Sequence, residues 1–172
     1  YLLTFASIMP WLAVMKNGAE SARRIPAMSD LPADGAPQAA ELPLLSVVIA
    51  ARDESARVEA ALQSLVAQSH PNFEIIIVDD RSTDGTGPLI DRMAAEFPER
   101  INAQHITELP EGWLGKCNAL HVGGEAAKGE YILFTDADVE FERTVLERSH
   151  RYAIAHQADQ IAVFPETIAD TF

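Results

Sequence analysis

The chain has 172 residues, a length that suits one domain or one domain with an appendage. Its hydrophobic fraction of 48% is ordinary for a globular protein. The formal net charge of -13 argues against nonspecific nucleic-acid binding, which depends on Lys and Arg neutralising phosphates. A chain this acidic must bind an anionic ligand locally, through a metal ion, a helix N-terminus or a placed lysine. Cys117 is the only cysteine, so no disulfide can form within the chain.

The first 24 residues combine an apolar stretch with a basic end. Residues 1–15 are nearly all apolar, but a bilayer span needs about 20 such residues. Lys16, Arg23 and Arg24 follow, as expected at the cytoplasmic end of a membrane helix under the positive-inside rule. Residues 1–24 are therefore predicted to be part of a membrane helix or another hydrophobic N-terminal segment. A signal-peptide remnant and an amphipathic packing helix are the alternatives.

Residues 25–43 form a Pro-rich stretch, with Ala, Asp and Gly between the prolines. This composition is typical of an extended, poorly ordered linker. Residues 44–172 are predicted to be the folded part of the chain.

From residue 44 onward, apolar runs of strand length alternate with segments that have the apolar spacing of a helix. The predicted strands cover residues 44–50, 73–78, 101–106, 131–135 and 160–164. The predicted helices cover residues 55–68, 88–97, 116–127 and 143–156. Strands that alternate with helices are joined by parallel crossovers. The sequence therefore predicts an α/β fold with a mainly parallel, doubly wound sheet.

Polar clusters follow three of the predicted strands at their carboxyl ends. They read ARDES (residues 51–55), DDRSTDGT (79–86) and DAD (136–138). Ligands of doubly wound sheets bind outside the carboxyl ends of the strands, so the three clusters are predicted to share one rim. The first two clusters each have a structural alternative: Asp53 or Ser55 as a helix cap, and the second cluster as a turn.

Four aspartates in these clusters are candidates for function. Asp79 and Asp80 are adjacent, and because like charges repel, the pair favours a functional role for Asp80 over a simple turn. Asp136 and Asp138 flank one residue, so their carboxylates can converge on one hard cation. Mg²⁺ and Mn²⁺ accept one or two carboxylates together with substrate phosphates, and would stabilise charge on a departing diphosphate. A cap for the following helix is the alternative.

The sequence EGWLGKCNAL (residues 111–120) places Lys116 at the predicted start of a helix. A cation is unfavourable at this end because of the helix dipole, so the position favours a functional role. A lysine beside exposed backbone N–H groups can hold a phosphate, and a solvated surface lysine is the alternative. Trp113 either lines an acceptor site or packs. The five histidines show no metal-ligand spacing, which favours surface or capping roles.

Taken together, LSVVIAARDES, FEIIIVDDRSTDGT, GWLGKCNAL and GEYILFTDADV resemble, in this order, the motifs of family 2 glycosyltransferases with the GT-A fold. The resemblance covers residues 44–164, and the combination of motifs is specific. The GW-GK-AL element is most similar to bacterial membrane-associated members that glycosylate lipids, such as the hopanoid-associated, carotenoid and ceramide enzymes. The resemblance implies the N-terminal, nucleotide-sugar-binding half of a Rossmann-like GT-A domain.

The resemblance also implies a nucleoside site. Ala50, Arg52 and Glu54 would line the nucleotide, partly through their backbone. Asp80 would hydrogen-bond the nucleobase, usually uracil.

A diphosphate and metal site is implied in the same way. Lys116 would reach the donor diphosphate. Asp136 would lie near the ribose and the metal, with Ala137 beside it in the nucleotide-sugar site. Asp138 would ligate the metal, Mn²⁺ or Mg²⁺.

The implied function is inverting transfer of a sugar from a UDP-linked or other nucleotide-diphosphate donor to a hydroxyl of a lipid or glycan acceptor. Family members place the catalytic base well downstream of the Asp-x-Asp, so the base is expected beyond Phe172 and not within this chain. The full-length protein is expected to associate with the cytoplasmic face of a bacterial inner membrane. Nucleic acid is not an expected partner.

Three alternatives share part of the pattern. A haloacid-dehalogenase-like phosphatase would use Asp136 as nucleophile and Asp138 as acid, but it expects Thr or Val where this chain has Glu140. A receiver-type signalling module carries its acidic pair after the first strand, whereas here the pair follows the second. A non-catalytic nucleotide-binding fragment is the third alternative.

Overall fold

The computed structural model describes residues 38–163. After a short 3-10 turn at Ala39–Glu41, strands and helices alternate along the chain. The strands are β1 (Leu45–Ala51), β2 (Phe73–Asp80), β3 (Ile101–Ile106) and β4 (Tyr131–Asp136). The helices are α1 (Val58–Val66), α2 (Thr86–Glu96), α3 (Gly115–Ala126) and α4 (Val145–Ala155). Each strand and helix predicted between residues 44 and 156 is therefore confirmed, with its ends shifted by three residues at most.

The four strands form one parallel sheet in the order β3-β2-β1-β4. β1 pairs with β2 on one edge and with β4 on the other, so Ala50 lies level with both Val78 and Asp136. The chain adds β2 and β3 on one side of β1 and then crosses to the other side for β4. The predicted doubly wound sheet is confirmed, and the reversal between β1 and β4 is a topological switch point.

Helices cover both faces of the central strands, which explains why β1 and β2 are almost continuously apolar. On one face, Val47, Ile49 and Ile75 belong to a core that includes side chains of α1, α2 and α4. On the other face, Val48 and Ile76 pack with α3. All five side chains are at most 1% exposed. Burial on both faces holds the register of β1, because a slip by one residue would exchange the two sets of side chains.

A glycine allows α3 to lie directly on the sheet. A Cβ at Gly123 would overlap Val48 and would lie 3.2 Å from Val78 Cγ2. On β4, Ile132 and Phe134 are 42% and 52% exposed. Within the part of the chain that the structure describes, β4 is therefore an edge strand with an open apolar face.

The fifth strand predicted at residues 160–164 is wrong for the residues that can be compared. Residues 160–163 form no strand, and Phe164 lies outside the described residues. Ile161 and Val163 remain exposed, so the apolar pattern there does not correspond to burial. A strand needs a neighbouring strand for its hydrogen bonds, and no strand of residues 38–163 lies beyond β4.

The predicted hydrophobic segment at residues 1–24 and most of the predicted linker at 25–43 lie outside the described residues. Near the end of that linker, Leu42 is buried. The side-chain amide of Asn72 donates to the carbonyl oxygen of Leu42 at 3.2 Å, which joins this segment to the loop before β2. The packed region thus includes Leu42, two residues before the predicted start. Among residues 38–163, no helix is both long and apolar enough to cross a membrane.

A buried pair of histidines joins β2, β4 and α4 at the amino-terminal end of the sheet. His70 and His150 are 1% and 3% exposed, and His70 Nε2 lies 2.9 Å from His150 Nδ1. The backbone N–H of Asn72 donates to His70 Nδ1, so the proton of neutral His70 is on Nε2 and donates to His150. The proton of His150 is then on its own Nε2, a buried atom without a hydrogen-bond partner. Tyr131 packs edge-on against this ring at 4.6 Å.

Acid is expected to destabilise the fold through this pair. Burial, with the neighbouring His70, lowers the pKa of His150 to about 4 from the usual 6.5. The unfolded chain then binds the proton more readily, so stability falls as the pH decreases from about 6.5 towards 4, by at most about 1.4 kcal/mol per pH unit for one proton. His150→Gln keeps an acceptor for His70 and removes this titration. Urea unfolding between pH 7 and 4.5 should therefore show a shallower loss of stability in the variant.

His156→Gln is the matched control, because His156 is exposed near the end of α4. The free energy of unfolding of this variant should change with pH as it does in the parent protein. Parallel curves for His150→Gln and the parent protein would contradict the prediction.

Candidate functional site

The carboxyl ends of β1, β2 and β4 bring the three predicted polar clusters to one rim of the sheet. Arg52, after β1, reaches Asp80 at the end of β2, with Nη1 3.8 Å from Oδ2. Arg57, in the same loop, reaches Asp138 after β4, with Nη1 3.3 Å from Oδ2. The prediction of a shared rim is confirmed, because the loop after β1 contacts the clusters on both sides.

The loops after β1 and β2 are joined by hydrogen bonds in both directions. Three consecutive backbone N–H groups of the first loop donate to side-chain oxygens of the second: Asp53 to Ser82 at 3.0 Å, Glu54 to Thr86 at 2.9 Å and Ser55 to Asp84 at 2.9 Å. In return, the backbone N–H of Thr83 donates to Asp53 Oδ1 at 2.7 Å. The alternative in which Asp53 or Ser55 caps α1 is wrong, because Arg57 occupies the N-cap and no side chain caps this helix. These bonds also explain why α1 begins three residues later than predicted.

Buried Thr86 and exposed Asp84 together form one part of this junction between the loops. Thr86 is fully buried, and its hydroxyl donates to Asp84 Oδ1 while it accepts from the N–H of Glu54. The Thr86 hydroxyl and then the backbone N–H of Ser55 hold the pKa of Asp84 well below its usual range. The same hydrogen bonds that join the two loops thus favour the charged form of Asp84.

Asp80 is a buried carboxylate surrounded by positive charge. It is 3% exposed, and Arg81 donates to both of its oxygens, from Nε at 2.8 Å and from Nη2 at 3.2 Å. Arg52 adds a second positive charge. The start of α3 also lies against this carboxylate, since a Cβ at Gly115 would overlap Oδ2 of Asp80. The two guanidinium groups and the helix N-terminus together compensate for the burial of the charge.

Asp79 points to the opposite face of the sheet and has a structural role there. Its Oδ1 accepts from the N–H of Ser82 at 3.1 Å, and its Oδ2 lies 3.2 Å from His105 Nδ1. His105 Nε2 lies 2.8 Å from Asp91, so the imidazole bridges two carboxylates. Partial burial lowers the pKa of His105, but hydrogen bonds to Asp91 and Asp79 outweigh burial and raise the pKa above 6.5. The bridge therefore stabilises the fold fully below pH 6.5 and is lost as the pH rises through the raised pKa.

Asp136 and Asp138 lie at the switch point between β1 and β4. Their side chains are 53% and 39% exposed, whereas Ala137 between them is buried in the core. Lys116 Nζ pairs with Asp136, and Arg57 pairs with Asp138. Each carboxylate thus has one cationic partner from another part of the chain.

The carboxylates at the switch point fit a cation that is shared with a ligand. Neither caps the next helix, because α4 begins at Val145, so that alternative is wrong. No group of three or more His, Cys, Asp or Glu side chains within residues 38–163 could hold a metal ion. Two exposed carboxylates suit a hard cation that takes its other ligands from water and phosphate oxygens, as Mg²⁺ and Mn²⁺ do.

Lys116 occupies the first turn of α3. The helix begins at Gly115, and Leu114 at its N-cap provides no side-chain hydrogen bond. The first backbone N–H groups of a helix lack partners within the helix, so they form, with Lys116, a site for an anion. In this structure Lys116 Nζ pairs with Asp136, while the start of α3 itself lies against Asp80.

The loop before α3 presents apolar surface at the same rim. Gly112 has a φ of 82°, which favours glycine, and the turn leads into Trp113 and Leu114. The Trp113 ring stacks on His121 of α3 with centroids 5.0 Å apart. Trp113 and Leu114 nevertheless stay 41% and 74% exposed. Trp113 thus packs against α3 and also offers aromatic surface for a ligand.

All predicted site residues lie at or next to the carboxyl ends of the strands or at the start of α3. They are Ala50, Arg52, Glu54, Asp80, Lys116, Asp136, Ala137 and Asp138. The buried side chain of Ala137 leaves only its backbone to meet a ligand. Sequence reasoning misses Arg81 and Arg57. Arg81 directly follows the Asp79-Asp80 pair, so the sequence contains a signal that it neutralises one of these aspartates. Arg57 pairs with Asp138, 81 positions later, and no local pattern in the sequence indicates this contact.

Several known proteins resemble this chain in sequence. A family model for glycosyl transferase family 2 matches residues 46–171. TuaG of Bacillus subtilis strain 168, named as a glycosyltransferase of teichuronic acid biosynthesis, is 34% identical over 106 residues, which are 62% of this chain and 40% of TuaG. The 4,4'-diaponeurosporenoate glycosyltransferase of Staphylococcus haemolyticus is 35% identical over 98 residues, which are 56% of this chain and 24% of that protein.

A solved structure has the same GT-A fold. It is the mannosyltransferase PcManGT from Pyrobaculum calidifontis in complex with GDP-Man and Mn²⁺, with a TM-score of 0.64 and 26% identity over 86% of this chain and 41% of that chain. This chain thus spans 40% or less of the length of the two curated relatives. The order β3-β2-β1-β4 differs from the 2-1-3-4-5 order of receiver-type modules, which excludes that alternative. The family match gives no support to the phosphatase alternative.

The junction between the two loops is expected to depend on the Thr86 hydroxyl. Thr86→Val keeps the shape but leaves the N–H of Glu54 and the Asp84 carboxylate without this partner. The variant should lose about 1–3 kcal/mol of stability in urea unfolding. The backbone amide of Glu54 should also exchange its hydrogen faster in NMR measurements.

Thr86→Ser is the matched control, since it keeps the hydroxyl and removes only a methyl group. Exchange at Glu54 should remain slow in this variant. Equal exchange rates at Glu54 in Thr86→Val and the parent protein would contradict the prediction.

Proposed function

This chain belongs to glycosyl transferase family 2, and on that premise we propose that its rim binds the nucleoside diphosphate of a nucleotide sugar, with UDP as the nucleotide. In the complete enzyme, the sugar passes with inversion to a hydroxyl group of a lipid or glycan acceptor. PcManGT, 26% identical to this chain, is in complex with GDP-Man and Mn²⁺. That complex supports a nucleotide sugar and a divalent cation as ligands of this rim.

The charged side chains at the switch point between β1 and β4 are the observation that carries this proposal. Lys116, Asp136 and Asp138 meet there, and ligands of doubly wound sheets bind at such a switch point. Among residues 38–163, no third His, Cys, Asp or Glu side chain joins these two carboxylates, which leaves coordination positions for phosphate oxygens. A chain with a net charge of -13 otherwise repels a diphosphate, so local positive charge is required.

The nucleoside is proposed to lie beside Asp80, between the loops after β1 and β2. A carboxylate has about four lone-pair positions, and the fork of Arg81 uses two of those on Asp80. The remaining positions can accept a hydrogen bond from the imide N–H of uracil. Ala50, Arg52 and Glu54 line the nucleoside, partly through their backbone, and the hydrogen bonds between the two loops hold them in place.

The diphosphate is proposed to lie between α3 and the end of β4. Lys116 leaves Asp136 and binds a phosphate oxygen, with the first N–H groups of α3 beside it. Asp136 and Asp138 would hold Mn²⁺ or Mg²⁺, and the bound cation would stabilise the negative charge on the departing diphosphate. The burial of Ala137 anchors the backbone between the two carboxylates.

Acceptor binding and the catalytic base are proposed to lie downstream of Phe172, in the part of the relatives that this chain does not span. A carboxylate there deprotonates the acceptor hydroxyl, whose oxygen attacks the anomeric carbon opposite the leaving diphosphate and so inverts it. A lipid acceptor places the complete protein at the cytoplasmic face of the bacterial inner membrane. The apolar residues 1–15 are the feature of this chain that supports this proposed location.

Calorimetric titration with UDP tests the cation site. UDP is expected to bind in the presence of Mn²⁺ and to lose most of its affinity in excess EDTA. Asp138→Asn should remove most of this metal dependence, because a neutral amide replaces an anionic ligand. Asp159→Asn is the matched control, since Asp159 lies near Tyr131 at the other end of β4, and it should bind UDP like the parent protein. Equal affinity for UDP with and without EDTA would contradict the metal assignment.

Comparison of UDP with uridine separates the diphosphate from the nucleoside. Lys116→Ala should weaken UDP binding more than uridine binding, because only UDP has phosphates. Asp80→Ala should weaken both, by about 1–3 kcal/mol if a base hydrogen bond is lost. Lys128→Ala, beyond the other end of α3, should change neither. Sugar transfer by this chain alone, from a UDP-sugar to any hydroxyl acceptor, would refute the placement of the base downstream of Phe172.

A further inference from the structure

Arg57 holds Asp138 in a contact that the proposed binding of a cation must break. Arg57 is the N-cap residue of α1, and its Nη1 donates to Asp138 Oδ2 at 3.3 Å. Lys116 makes the corresponding contact with Asp136 from the first turn of α3. Two cations from two helices thus neutralise the two carboxylates proposed to bind the metal.

Both of these cations lie where a helix disfavours positive charge. Arg57 is at the N-terminus of α1, Lys116 is at the N-terminus of α3, and neither helix has a side-chain cap. The helix dipole makes such positions unfavourable for a cation unless an anion is close. Asp138 and Asp136 are those anions here. A residue that breaks a local rule in this way is expected to serve a function at the site.

Arg57 and a metal ion compete for the same carboxylate. A guanidinium group bound to Asp138 occupies an oxygen lone pair, and its positive charge repels a second cation. The Arg57 side chain is 67% exposed, and exposed ion pairs are weak, so Arg57 can leave Asp138 at small cost. The planar guanidinium also binds phosphate oxygens through two parallel hydrogen bonds. A diphosphate beside the cation therefore offers Arg57 a new partner.

We propose that Arg57 couples the binding of the cation to the binding of the diphosphate. In the free protein, Arg57 is the counter-ion of Asp138 and weakens the binding of a cation alone. When a diphosphate binds together with the cation, Arg57 moves from Asp138 to the phosphate oxygens. Cation and diphosphate then bind cooperatively, and by linkage each raises the affinity for the other by the same factor. This inference rests on the proposed metal site at Asp136 and Asp138.

The test is the binding of Mn²⁺ to the full chain, followed by the EPR signal of free Mn²⁺, with and without UDP. Arg57→Gln should bind Mn²⁺ alone about two- to five-fold more tightly than the parent protein, the range expected for loss of an exposed ion pair. In saturating Mn²⁺, the variant should bind UDP at least about two-fold more weakly. Arg57→Gln should thus raise the affinity for Mn²⁺ and lower the affinity for UDP, so the factor by which each ligand strengthens the other becomes smaller than in the parent protein. A merely structural role of Arg57 would not change the two affinities in opposite directions.

Two further variants serve as controls. Arg92→Gln removes another exposed ion pair, in which Arg92 Nη2 lies 2.7 Å from Glu59 between α1 and α2, and it should change neither affinity. Arg57→Lys keeps the positive charge but lacks the planar fork. It should bind Mn²⁺ alone as weakly as the parent protein and should lose part of the affinity for UDP.

The outcomes separate this inference from the metal site on which it rests. If Arg57→Gln and the parent protein bind Mn²⁺ equally while Asp138→Asn loses Mn²⁺, the inference is overturned and the metal site stands. If Arg57→Gln weakens Mn²⁺ and UDP together, the inference is also overturned. If the parent protein binds no Mn²⁺ even with UDP, the metal site is refuted and the inference with it.

Discussion

The central place of β1 is the constraint on which the rest of the structure depends. β1 is hydrogen-bonded to β2 and β4 along its two edges and is covered by helices on both faces. A strand in this position must be apolar along its length, and its carboxyl end is where the loops from both neighbouring strands can meet. Ala50 lies level with Val78 on one side and with Asp136 on the other. The site at the rim thus follows from the order of the strands.

The four aspartates of this rim differ in how easily a ligand could replace their side-chain partners. Asp79 and Asp80 are buried; Arg81 neutralises Asp80, and the imidazole of His105 lies within hydrogen-bond distance of Asp79. Asp136 and Asp138 are exposed, and surface ion pairs such as theirs with Lys116 and Arg57 contribute little to stability. A ligand can displace the second kind of pair but not the first. In the proposed diphosphate site, Lys116 and Arg57 thus keep carboxylate partners until a ligand replaces them.

The two ends of the sheet shift the pKa values of their histidines in opposite directions. At the amino-terminal end, His70 and His150 are held neutral by burial and pack with Tyr131. At the carboxyl end, hydrogen bonds to two carboxylates raise the pKa of His105, and the loops are joined by charged side chains. Protonation of His70 or His150 therefore destabilises the amino-terminal end of the sheet, whereas protonation of His105 stabilises the carboxyl end.

The sequence by itself determined the alternation of strands and helices, the parallel sheet and the rim with Asp80, Lys116, Asp136 and Asp138. These features depend on local apolar periodicity and on the rule that parallel strands end at one edge, so they can be read along the chain. The prediction of a fifth strand was wrong because the apolar pattern at residues 160–163 carries no information about a hydrogen-bonding neighbour. Only the tertiary structure decided that Asp79 pairs with His105 and that Arg57 pairs with Asp138, since these contacts join residues 26 and 81 positions apart. Pairing across such distances depends on the three-dimensional approach of side chains, which no local pattern of residues records.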